Sequence, residues 1–194
     1  GVSIYVFNWM LLLLAGNYAV AAYGVVANVS IITLAAANGV ALGVQPIASR
    51  EFGKHAPQNA VTAFWHGLKL TVTLAAILML GLIVFKAPIV ALFNTEHQPQ
   101  LLHYALAGLP IYFTSAVFAA ANILMIIFLT AVNRGQVSFT LSFLRGYVIL
   151  LPLIVLLAWL GGVNGVFAAM PVNELLITLI GAGMVKNELR RLTA

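Results

Sequence analysis

The sequence contains no cysteine and no aspartate, and only 7% of its 194 residues are charged. Without cysteine there is no disulfide, no thiolate metal site and no thiol nucleophile, and the redox compartment is left open. Without aspartate, metal sites and phosphotransfer chemistry built on Asp clusters are excluded. The four acids, Glu51, Glu96, Glu174 and Glu188, are all that remains for proton or cation work. So little charge also excludes a water-soluble globular domain. With 63% hydrophobic residues and a mean hydropathy of +1.08, the chain has far more apolar area than such a surface could keep dispersed in water.

What is present is a series of long apolar runs. A helix needs about 20 apolar residues to cross the roughly 30 Å hydrocarbon layer. Cutting the chain where charges, Pro, Gly and Asn cluster predicts an all-α, polytopic membrane protein, a single domain over 1–194 with six helices. They are expected at about 2–15, 17–43, 61–85, 110–132, 137–160 and 163–185. The first, at 14 residues, reaches only roughly 21 Å and reads as the end of a cut helix, with a tilted or re-entrant helix as the alternative. Pro110 is expected to divide the long run Leu101–Val132 into an interfacial piece and a spanning helix. Gly161 and Gly162 are expected to form the turn between the fifth and sixth helices.

The net charge of +5 reads as topology rather than as a nucleic-acid patch. If the helices alternate strictly, Arg50, Lys54, Arg134, Lys186, Arg190 and Arg191 fall on one side and Lys86 alone on the other. The positive-inside rule makes the first side, with the C-terminus, cytoplasmic. The chain is thus expected in a cell membrane, among lipid, with no nucleic-acid partner.

Three charges fall within the spans, where each costs at least a few kcal/mol unless it is paired, hydrated or able to escape. Lys69 is close enough to a helix end to snorkel. Glu174 lies roughly 16 to 18 Å from either end of the sixth helix, close to the bilayer centre. Arg145, in the fifth, differs from it in depth by only roughly 5 Å. A pair between them is geometrically reasonable, as a static clamp or as a cation site whose occupancy changes between two conformations. Asn122, among the small residues of FAAANIL, and Asn173, next to Glu174, complete the candidate cavity-facing set. Enzyme chemistry is not expected. The four histidines lack metal-ligand spacing, and no Gly-x-Ser-x-Gly, phosphate loop or co-located Ser/His/acid set is present.

The run Gly39-Val-Ala-Leu-Gly43-Val-Gln45-Pro46-Ile-Ala-Ser49, followed by Gly53, resembles the end of the second helix in a lobe of multidrug and toxic compound extrusion (MATE) transporters. FAAANILMIIFLTAVNRGQVSFTLSFLRGYVILLP looks like the family's tenth and eleventh helices, and GGVNGVFAAMPVNELL is similar to its twelfth. The resemblance covers essentially the whole chain and places it as the C-terminal six-helix lobe. It implies a second, N-terminal six-helix lobe outside this chain and a cavity between the two that opens to each side in turn. The function implied is secondary active efflux from the bacterial inner membrane, exchanging H⁺ or Na⁺ for organic, often cationic drugs or metabolites. No cofactor or metal is implied beyond the coupling ion. The resemblance also implies a bend in the second helix at Gly39, Gly43, Gln45 and Pro46. Asn122 stands about where some sodium-coupled members carry an acid, which leaves Glu174 as the central acid. Two other readings are a lipid-linked precursor flippase of the related superfamily and a six-helix substrate-binding subunit of an energy-coupled importer.

Overall fold

The computed structural model describes residues 2–193, and among the described residues there is no strand. The elements are α1 (Val2–Gly53), α2 (Pro57–Val84), α3 (Lys86–Phe93), α4 (Pro99–Phe113), α5 (Ala116–Ala131), α6 (Gly135–Phe143), a π-helical turn (Leu144–Val148) and α7 (Leu150–Thr193).

The two longest elements are hairpins, not rods. At 52 residues, α1 would be about 78 Å long if straight, more than twice the hydrocarbon thickness. Instead Gly16 leaves helical geometry at φ 71°, ψ −161°, and the rings of Phe7 and Tyr23 stack with centroids 4.8 Å apart. A straight helix would hold those two residues roughly 24 Å apart. In α7 the reversal is at Gly162, φ 56° and ψ −137°. A Cβ on Gly165 would overlap the Leu157 carbonyl, so the two arms touch just beyond the turn. Both turn residues sit at positive φ, which side chains with a Cβ rarely adopt.

Three continuous stretches (Val2–Gly53, Pro57–Val84 and Gly135–Leu192) and the α4–α5 pair, bent by 45°, have the length and hydropathy of membrane spans. With the reversals at Gly16 and Gly162, the chain runs back and forth through six helical passes, the six-helix all-α bundle expected from hydropathy. Residues 17–53, expected to be helical to 43, stay helical to Gly53, and residues 163–193 continue past 185. Apolar counting stops where charge begins, but i→i−4 hydrogen bonding does not.

The fourth pass corrects a boundary. Pro110 lies inside α4 rather than at a helix start, and the break falls at Thr114–Ser115. Pro110 has no N–H to give the Leu106 carbonyl, and Lys86 Nζ approaches that oxygen at 3.5 Å. At the break, Thr114 Oγ1 donates to Ile111 O at 2.6 Å and Ser115 Oγ to Tyr112 O at 2.6 Å. Side-chain hydroxyls thus return to carbonyls of the preceding turn, and the Tyr112 carbonyl accepts from Ser115 N as well, at 3.1 Å. At Gly39, Gly43, Gln45 and Pro46, where a bend is expected, no residue departs from helical φ/ψ, and the arm stays helical through them with the bond that Pro46 cannot make missing.

Packing divides into two apolar clusters. One gathers Phe7, Leu11, Tyr23, Leu109, Phe113 and Phe167 around the Gly16 hairpin. The other gathers Phe64, Leu124, Phe128 and Ile177 near the opposite end. At that end His55, Arg134 and Arg191 line one cleft, and Glu188 lies 2.8 Å from Arg134 Nε and 3.1 Å from Arg191 Nη1. The Arg134 N–H is not directed at the carboxylate, so that contact is an ion pair without a formed hydrogen bond. Glu51, in the last turn of α1, accepts hydrogen bonds from Asn59 Nδ2 at 3.0 Å and Lys54 Nζ at 3.2 Å.

Candidate functional site

A cleft of about 710 Å³ opens between the two arms of α1, the α4–α5 bend, the π-helical turn and residues 163–193. That lies within the few-hundred to roughly 1,000 Å³ typical of small-molecule sites. Ile31, Leu34, Ile123, Ile126 and Ile127 form an apolar wall. Ser30, Asn28, Asn38, Ser142 and Tyr112 add polar groups, and two ionisable partners, Arg145 and Glu174, meet at its edge.

Glu174 sits on the second arm of α7 and is 0% exposed. Its carboxylate would be costly in apolar surroundings unless both oxygens found donors and a counter-charge. They do. Arg145 Nε lies 2.9 Å from Oε1 and 3.0 Å from Oε2. Asn122, from α5, donates through Nδ2 to Oε2 at 2.7 Å and to the Glu174 carbonyl at 2.9 Å. Thr178 Oγ1 lies 3.1 Å from Asn122 Oδ1 and 2.8 Å from the Glu174 carbonyl, closing the network one turn farther along.

Arg145 reaches this position from the π-helical turn, whose wider loop is closed by the bond from Ile149 N to Leu144 O at 3.1 Å. A π turn leaves carbonyls without their usual helical partners. Two side chains from other passes fill them: Asn173 Nδ2 donates to Arg145 O at 3.2 Å and Ser3 Oγ to Gly146 O at 3.1 Å. Asn173 therefore positions the backbone that carries Arg145. Its own Oδ1 is buried with no partner, an unsatisfied acceptor at the site.

The structure brings Glu174, Arg145, Asn122 and Asn173 into one cluster. Gly39, Gly43, Gln45 and Pro46 are not among the residues lining the cleft. Thr178, Ser3 and the π turn are additions that sequence reasoning missed. For Thr178 the available signal was its i+4 spacing from Glu174, while Ser3 and the π turn left none. Lys69 is exposed on the outer face, compatible with snorkelling. Among the described residues no group of three His, Cys, Asp or Glu side chains could hold a metal ion.

Comparison with known proteins adds three findings. The family model MatE matches residues 2–156. A protein of Shewanella oneidensis named FAD transporter is 29% identical over 163 residues, covering 82% of this chain and 35% of that protein. Two solved structures of a multidrug resistance MATE family transporter of the MOP superfamily, one outward-facing and one inward-facing, each superpose with a TM-score of 0.93 at 13% identity. They cover 99% of this chain and 43% or 44% of theirs, so at this identity the likeness is one of fold. The chain thus spans about a third of the length of the curated relative and under half of the solved chains.

Proposed function

The chain belongs to the MatE family, whose members are multi-pass membrane transporters rather than enzymes, and from that premise we propose that it forms the C-terminal lobe of a secondary active exporter. The exporter exchanges inward H⁺ or Na⁺ for outward movement of small organic compounds. The basic end of the bundle, with the C-terminus, faces the cytoplasm in this reading. A second six-helix lobe closes the cavity against the cleft. Its contact includes the open face of residues 17–53, where a Cβ at Gly39 or Gly43 would meet nothing within 4 Å and a neighbouring helix can approach closely.

The observation that carries this reading is Glu174, a fully buried acid held by Arg145 and Asn122 at the edge of a 710 Å³ cleft. Coupling requires a group whose state differs between two conformations. Glu174 is suited to that role, because proton or cation binding there must weaken the Arg145 pair and free the π turn to shift. The equal match to outward-facing and inward-facing structures supports a lobe that moves as one body. The printed name of the Shewanella oneidensis relative supports metabolites alongside drugs as substrates. A lipid-linked precursor flippase fits less well, since among the described residues Arg145 is the one basic residue lining the cleft.

In the full-length protein, Glu174→Gln is expected to abolish cation-driven efflux while expression is retained. Unchanged efflux would remove Glu174 from the mechanism.

A further inference from the structure

The cluster is neutral as a pair, but its two charges are not equally presented to the cleft. The Glu174 side chain is 1% exposed and the Arg145 side chain 21%. Both carboxylate oxygens are occupied, and Arg145 spends only Nε on them. Neither Nη group donates to another described residue, so the outer edge of the guanidinium is the charged surface an incoming molecule meets. A guanidinium edge with free N–H groups matches a carboxylate or phosphate in bidentate geometry.

The neutral groups sort in a complementary way. Asn28 and Asn38 give their Nδ2 groups to the Gly24 and Leu34 carbonyls, each at 2.9 Å. Each amide keeps its Oδ1 as an acceptor for hydroxyl or N–H groups, beside the one N–H that its helix bond leaves over. The isoleucine wall between provides contact without charge. From this arrangement we infer that the lobe selects organic anions, with Arg145 as the residue that receives the substrate's phosphate or carboxylate and Asn28 and Asn38 accepting from its hydroxyl or N–H groups.

This rests on and deepens the exporter reading, and it narrows the organic, often cationic drugs or metabolites that the family resemblance implies. A cation in the cleft would meet the guanidinium before it could reach the covered carboxylate. Glu174 keeps its role as the coupling acid and, toward the substrate, is a positioning residue. Its bond to Nε turns the free edge of Arg145 outward.

The test uses the purified full-length transporter in detergent and three fluorescent probes: flavin mononucleotide, riboflavin, which lacks only the phosphate, and the cation ethidium. Flavin mononucleotide is expected to bind about tenfold or more tighter than riboflavin, the ratio one charge-assisted contact supplies. Arg145→Lys should keep part of that preference. In Arg145→Gln combined with Glu174→Gln, which leaves no unpaired buried charge, the two flavins should bind alike. Equal binding of the flavins to the wild type, a preference that survives in the double variant, tighter binding of ethidium, or binding of none of the three would each overturn the proposal. Flux of the same probes in proteoliposomes separates the two readings. A flavin preference without gradient-driven flux sinks the exporter and keeps the anion site, and driven flux without the preference does the reverse.

Discussion

Glu174 and Arg145 show how a single pair of side chains is constrained by the membrane. The carboxylate is buried and both oxygens are engaged, so removing the guanidinium leaves it without its counter-charge. Arg145→Ala is expected to cost about 3–5 kcal/mol of stability, whereas the Arg145→Gln, Glu174→Gln double variant recovers most of that loss. Thermal unfolding of the full-length protein in detergent checks both, and equal destabilisation by the two variants would show that the pair is not the source of the cost. The pair was legible in the sequence because each charge in an apolar span demands a partner and depth could be counted from the helix ends. Thr178 was less legible, since a threonine in a membrane helix satisfies itself through its own i−4 carbonyl and announces no role.

At the scale of elements, the bundle depends on where helices stop. Gly16 and Gly162 turn two long apolar helices into hairpins, and at both positions positive φ leaves open space around an added Cβ. The cost of substitution there is conformational rather than steric. Gly162→Val is expected to destabilise the protein by at least about 1–2 kcal/mol. Gly161→Val, which adds the same bulk without positive φ, should cost less. Melting temperatures of the two variants provide the comparison, and equal losses would place the cost in bulk instead of backbone. Proline was the poorer guide. Pro110 stays inside α4, with Lys86 Nζ 3.5 Å from the carbonyl it leaves free, and Pro46 stays within a helix that continues. The actual bend at Thr114–Ser115 is stabilised by two hydroxyls that return to the preceding turn. Lys86, twenty residues from the carbonyl it approaches, does not follow from local propensity.

At the scale of the molecule, the chain spans under half the length of the solved structures it matches. A native protein with a second bundle should have an intact mass near twice 20.7 kDa. Mass spectrometry of the protein extracted from its membrane measures this directly. A value of 20.7 kDa would instead call for two copies of the chain to enclose the cavity.

The sequence by itself determined that this is an all-α membrane protein of six passes, which residues carry charge into the bilayer, and which end of the bundle is basic. Those properties follow from the bilayer, which admits only helices long and apolar enough to satisfy their own backbones and penalises every charge by its depth. Only the tertiary structure decided which face of the Arg145–Glu174 pair looks into the cleft. It also decided that a π turn held by Asn173 and Ser3 brings Arg145 there, and that the kink follows Thr114 rather than Pro110. The pair and the π turn depend on donors from different passes, and hydropathy and local spacing contain no information about which passes become neighbours.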